Sequence, residues 1–298
     1  MSTNPVLKRL GFGNDDRVVI IHADDIGMCQ ATVSAYADLQ EVGLVSSAST
    51  MVPCGWFPLT AAYCRQHSEA DMGVHLTLTG GSDGYRWGPI STRDPASGLL
   101  DDEGYMHRQT EQAQAHGDPA AAQRECEMQV ERALAAGIDV THVDTHMGTV
   151  AHPKFAPGYV QTALKHGVPM MMLRRDEAGW RQMGFDSETA AVAAQLVQQL
   201  EAQGLPLLDN LFMMPLDQPS DRMELARKEL GALPPGLTHF IIHPGHDTAE
   251  LRAAAPSNWP SRVADYQAFA SAELKDWVRD SGLQVIGYRP LRDLMRGG

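Results

Sequence analysis

From residue 17 to residue 287, short apolar runs alternate with stretches of helical period, and this pattern constrains the fold more than any other feature. The apolar runs fall at 17–25, 45–52, 71–78, 140–144, 169–173, 207–212, 238–243 and 283–287. Helical segments lie between them at about 29–41, 57–67, 118–136, 157–166, 187–203, 221–230 and 263–280. A parallel strand pair needs a crossover long enough to hold a helix, so this alternation predicts an α/β chain with a parallel sheet. About eight strands favour closure into a (β/α) barrel over an open sheet. No break in composition divides residues 1–298, which predicts one domain.

One segment departs from the rhythm. Residues 79–119 are rich in Gly, Asp, Ser and Pro and have no sustained period. Long irregular stretches in compact domains are usually functional or disordered, so this one is expected to be a substrate-side loop. Shortening it between Ser91 and His107 should then alter substrate preference more than metal content.

Composition excludes several classes. With 24 Lys and Arg against 37 Asp and Glu, the net charge of −13 is wrong for a surface that neutralises phosphates, so no nucleic-acid partner is expected. The apolar runs fall far short of the roughly 20 residues that cross a bilayer, and residues 1–14 lack the apolar core of a secretory signal. A cytoplasmic protein with no membrane partner is expected. Cys29, Cys54, Cys64 and Cys126 form no CxxC pair and are expected to be reduced and partly buried. GxSxG, HExxH and Gly-rich phosphate-loop patterns are absent as well.

In a barrel of this kind the reactive groups gather at the carboxyl ends of the strands. The first run ends in His22-Ala23-Asp24-Asp25, the third carries His75, the fourth leads into His142-Val143-Asp144-Thr145-His146, and the seventh ends in His243-Pro244-Gly245-His246. Any one of these alone reads as a hydrogen-bonded structural group. Their convergence on one rim points to a divalent ion, because imidazole and carboxylate together suit a first-row metal. Two imidazoles, one carboxylate and an open position would make a hydrolytic site in which the ion acidifies water. Of the adjacent Asp24 and Asp25, one could bind the ion while the other faces the water; both could instead be turn acids or caps before Gly27. Alternation puts His142, Asp144 and His146 on one face, with His146 as a ligand, Asp144 behind it as an orienting group and His142 deeper in the core.

His22-Ala-Asp-Asp-Ile-Gly, Gly73-Val-His75-Leu-Thr-Leu-Thr, Thr141-His-Val-Asp144-Thr-His146 and Ile242-His243-Pro-Gly together resemble the ordered motifs of the YdjC-like carbohydrate deacetylases, the family that includes chitooligosaccharide deacetylases. The resemblance implies a distorted (β/α) barrel related to polysaccharide deacetylases, and metal-dependent removal of an acetyl group from an N-acetylated sugar or oligosaccharide. Carried over position by position, Asp25, His75 and His146 match the ligands of one divalent ion, zinc or magnesium. Asp24 matches the general base and His243 the general acid. Relatives usually have Asn and Phe where this chain has His22 and Ile26, and more histidines where it has Met147-Gly-Thr-Val. Arg174 or Arg175 could hold a substrate hydroxyl or orient Asp24, with rim pairing as the alternative. Trp87, Trp180 and Trp259, placed in loops, could stack on a sugar or serve as packing. A homodimer is the base-rate expectation. The rival functions are a same-fold metal hydrolase of another amide or ester, and a catalytically silent sugar-binding protein.

Overall fold

The computed structural model describes residues 4–297. Its centre is β1 (Arg17–Ile26), buried from Val18 to Ile26. A strand buried on both faces reads as a continuous apolar run, which is why 17–25 is so visible in the sequence. On one side β1 pairs in parallel with β6 (Gly236–Ile242), in register from Arg17–Gly236 to Ala23–Ile242. On the other it pairs with β2 (Ser47–Thr50), followed by β3 (Met72–Leu76) and β4 (Val143–Thr145). β5 (Asn210–Met213) flanks β6, and the short β7 (Gln284–Val285) joins β1 at Val18 and Val19.

The sheet has seven strands where eight runs were expected. The missing one is 169–173, which makes only the single bridges Val143–Met170 and Leu173–Leu208. Pro169 has no N–H to give to a ladder, and the Tyr159 hydroxyl donates to the carbonyls of Val143 (2.9 Å) and Met171 (3.3 Å). The bridges nevertheless connect β4 through this segment to the entry of β5, so the parallel ring closes as a distorted barrel. The helix expected at 263–280 is also divided, into Trp259–Phe269 and Ala272–Asp280. Ala270 closes the first and Ser271 caps the second, its hydroxyl accepting from Glu273 N at 3.1 Å.

Apolar side chains of β1 pack against the surrounding helices, while another buried set is polar: His22, Ser47, Ser49, His75, His142, Asp144 and His239. These groups come from five different strands or their approaches and touch one another, so they fill the barrel interior. The 79–119 excursion is folded. It contains a short 3-10 turn at Pro95–Ser97, a helix at Thr110–His116 and an antiparallel bridge between Leu100 and Met106. The buried carboxylate of Glu125 anchors it by accepting from Ile90 N (3.0 Å) and Ser91 N (2.8 Å). Among the described residues, no helix is long and apolar enough to cross a membrane. All four cysteines are free and buried.

Candidate metal centre

The end of β1 is shaped by a bulge. Its register with β2 shifts between Ala23 and Ile26, and Asp25 takes a left-handed backbone with φ of 64°. Bulges re-aim side chains beside active sites, and aspartate tolerates this region better than most residues. Asp24 consequently faces His22 and His243, while Asp25 faces His75, His146 and Arg262. Gly27, at φ of 89°, lets the chain turn here: a Cβ would sit 3.0 Å from Thr60 Oγ1 and 3.1 Å from Thr50 Oγ1.

Asp25 Oδ1 lies 3.3 Å from His75 Nε2 and 3.1 Å from His146 Nδ1. Each of the three offers one ligand atom, and the three atoms lie within 4.8 Å of one another. Behind them, Asp144 Oδ1 is 2.8 Å from His75 Nδ1, which fixes the ring so that Nε2 faces Asp25. Asp25 Oδ2 accepts from Arg262 Nη2 at 2.7 Å. Two ring nitrogens and one carboxylate oxygen, converging and buried, are a donor set that fits a divalent ion.

The electrostatics are those of a site that holds protons where a cation would sit. Burial works against a charge on Asp25, but Arg262, His146 and His75 outweigh it and hold the carboxyl well below the usual range. Burial likewise opposes a charged His75, yet Asp144 and Asp24 raise it well above the ordinary imidazole value. A cation taken up by the proposed ligand His75 would displace its proton, so affinity is expected to rise with pH. Calorimetric metal titrations in buffers of different ionisation enthalpy would show proton release; binding with none released would contradict this arrangement.

Asp24 sits beside this set. Its Oδ1 is 3.1 Å from His22 Nε2, and its Oδ2 is 3.9 Å from His75 Nε2 and 3.8 Å from His243 Nε2. His243 follows the end of β6, and its backbone N donates to Asp265 Oδ2 at 3.0 Å. Burial, with Arg262 adding to it against the pull of Asp25 and Asp24, keeps the His243 ring below the ordinary imidazole value. Its Nδ1 is buried with no hydrogen-bond partner among the described residues.

Two groups carry no mark in the sequence. Arg262 and Asp265 lie three apart on one face of the Trp259–Phe269 helix, where one pairs with Asp25 and the other fixes the His243 backbone. Arg222 Nε in turn donates to Asp265 Oδ1 at 2.6 Å. The only available signal was topological: this helix follows the strand that carries His243. Arg174, considered as a partner for substrate or Asp24, is buried with Nε 2.6 Å from Glu201 Oε1 and Nη1 3.0 Å from Asp209 Oδ1.

The tryptophans are arranged as packing. Trp87 is buried, with its ring centroid 6.3 Å from that of His146, and its Nε1 donates to Thr79 O at 3.2 Å. Trp180 lies in a helix, Glu177–Gln182, buried against Phe185, and Trp259 begins a helix beneath Arg252. The excursion therefore braces a proposed ligand. Gly80 N donates to His107 O at 2.9 Å, and a Cβ on Gly80 would lie 2.7 Å from the Trp87 ring and 2.9 Å from His146 Nε2. Gly80 also has φ of 117°, so Gly80→Ala is expected to weaken metal binding while the barrel still folds. Deleting 91–107 removes the His107 carbonyl, and a loss of metal affinity should accompany any change in substrate profile. Metal analysis of both variants checks this.

Residues 18–280 match the family of YdjC-like proteins. This chain belongs to the YdjC-like family. A carbohydrate deacetylase of Thermus thermophilus is 29% identical over 270 residues, covering 91% of this YdjC-like chain and 92% of the relative. A carbohydrate deacetylase of Listeria monocytogenes serotype 4b is 31% identical over 278 residues, covering 92% and 99%. Among solved structures, a protein from Enterococcus faecalis V583, assigned only provisionally to cellobiose-phosphate cleavage, superposes with a TM-score of 0.74. At 19% identity, covering 93% of this chain and 99% of that one, it shows that the YdjC-like chain shares its fold.

Proposed function

We propose that the chain is a divalent-metal-dependent hydrolase that removes an acetyl group from an N-acetylated sugar or oligosaccharide. The observation that carries this reading is the convergence of Asp25, His75 and His146, one ligand atom each within 4.8 Å, with Asp24 and His243 alongside. The carbohydrate deacetylases of similar sequence support the substrate class. The nitrogen-rich donor set suits zinc better than magnesium, which prefers oxygen ligands.

When bound, the ion supplies Lewis acidity that activates water and polarises the acetamide carbonyl. The protein's own groups do the rest. Asp25, His75 and His146 hold the cation, and Asp144 fixes the face that His75 presents. Asp24, ionised beside them, takes the proton of the attacking water on Oδ2. His243 Nε2, 3.8 Å away, is placed to receive that proton and pass it to the departing amine nitrogen. Because burial holds His243 neutral at rest, it is free to accept. Acetate and the free amino sugar are the products.

Acetate release from N-acetylated sugar oligomers, measured after chelation and again after metal is restored, tests the assignment. Asp25→Ala and His146→Ala are expected to lose bound metal and activity together. A His146→Ala protein with full metal and wild-type turnover would sink the proposal, and preferential release from simple acyl esters would shift the substrate class.

A further inference from the structure

Beneath Asp24, the fully buried ring of His22 touches two carboxylates at once. Its Nε2 is 3.1 Å from Asp24 Oδ1 and 2.9 Å from Asp144 Oδ2. Neither oxygen has a well-aligned hydrogen-bond partner among the described residues; His22 Nε2 faces both, and His142 Nε2 lies 3.8 Å from Asp144 Oδ2. Nε2 also lies 3.1 Å from Ser49 Oγ, while Nδ1 lies 3.2 Å from Ser47 Oγ.

The proton count decides the state of this ring. Ser47 Oγ is 3.1 Å from Asp71 Oδ1 and 3.4 Å from Asp71 O, both acceptors. A hydroxyl has one proton to give, so Ser47 donates to Asp71 and accepts from His22 Nδ1. Burial raises the Asp71 carboxyl, yet its oxygens meet three donors, the Ser47 and Thr141 hydroxyls and Arg289 N, as an ionised carboxylate does. At the other end of the ring Nε2 has Ser49 Oγ at 3.1 Å and two carboxylate oxygens at 2.9 and 3.1 Å; a bare lone pair there would be repelled by both anions, so this nitrogen carries a proton too. An imidazole that donates from both nitrogens is charged.

We propose that His22 is a positioning residue, an imidazolium locked between Asp24 and Asp144, so that one buried charge sets both the base and the group that orients His75. The role given to Asp24 rests on the deacetylase reading; the charge on His22 does not. Asp144 and Asp24 overcome the cost of burial and raise His22 to about 9. The other groups facing it are His239 at 4.5 Å and His142 at 5.0 Å between ring centroids, with Tyr288 at 6.2 Å. Burial, reinforced by the His22 charge, keeps both of those imidazoles well below their ordinary value, and it keeps the Tyr288 hydroxyl protonated. His22 is thus the proton carrier of this stack.

A rival occupant exists, because His22, Asp24, Asp144 and His239 also present atoms within 4.8 Å that could hold an ion. Metal content separates the two: a proton at His22 leaves one ion per chain, whereas an ion held there gives two.

The test uses zinc-loaded protein labelled with 15N-histidine, with the His22 signals assigned by their loss in His22→Leu. Both ring nitrogens are expected to be protonated near neutral pH; a neutral tautomer, or two zinc ions per chain by metal analysis, would overturn the proposal. His22→Leu, which unlike the Asn of relatives leaves no polar group between the two carboxylates, should keep one metal per chain and a KM close to wild type while kcat falls on the order of 10–100-fold, the usual cost of removing such a supporting partner. Unchanged kcat with intact metal would refute the positioning role. Ser47→Ala, which withdraws the acceptor at Nδ1 and leaves the ring in place, should lower the pH at which His22 loses its proton even if the first variant fails to fold; no change would count against the proton assignment. Wild-type protein that shows the charged ring yet releases no acetate from any N-acetylated sugar would refute the deacetylase reading alone.

Discussion

Asp24→Asn is expected to retain its metal and lose on the order of 10²–10⁴-fold in kcat, the contribution typical of a positioned general base. The amide is nearly isosteric with the carboxylate, so Oδ1 can keep its place beside His22 Nε2, 3.1 Å away in the native protein. Asp24 is also outside the three-residue ligand set, which leaves the Asp25, His75 and His146 donors intact. What disappears is the proton acceptor 3.8 Å from His243 Nε2. KM should change little, because the lost interaction is made with a proton in flight and not with resting substrate. Metal analysis together with steady-state kinetics on an N-acetylated sugar decides the matter. Turnover at the wild-type level would remove Asp24 from the base role, and loss of the ion would make it a ligand.

The contrast between Asp24 and Asp25 shows which parts of the site could be read from the chain. Both acids were visible because they end a long apolar run, and strand ends are where such barrels place chemistry. The separate roles proposed for them depend on the bulge in the pairing of β1 with β2 and on the hydrogen bond from Arg262 to Asp25, two contacts made at long range. Arg262 is 237 residues away in sequence and belongs to no motif. The eighth strand was over-read for a similar reason: 169–173 is as apolar as a true strand, but its pairing stops at one bridge on each side, and the hydroxyl of Tyr159, arriving from a neighbouring helix, takes the Met171 carbonyl. The order within 79–119 was equally hidden, since a polar, Gly-rich stretch becomes folded here through Glu125, a carboxylate outside it. Periodicity carries information about elements. It carries none about which distant charge will meet them.

Arg262→Ala should destabilise the metal-free protein by about 3–5 kcal/mol, the usual cost of stranding one partner of a buried ion pair. Arg262 and Asp25 are both buried, and the 2.7 Å contact between them answers one of the two Asp25 oxygens. The pH dependence follows from the direction of the Asp25 shift. A carboxyl held well below its usual value contributes stability above its unfolded pKa, near ~3.9, and loses it as pH falls through the folded value. Without Arg262 that contribution shrinks, so the stability of the metal-free variant at neutral pH should lie closer to its acid value. Zinc changes the comparison, because a cation at Asp25 replaces the missing positive charge and stabilises whichever form binds it. The gap between wild type and variant, measured by denaturant unfolding, should therefore be large in chelator and narrow in saturating zinc. An equal gap under both conditions would mean that the ion does not reach Asp25, and with it would go the ligand set on which the proposed hydrolysis depends.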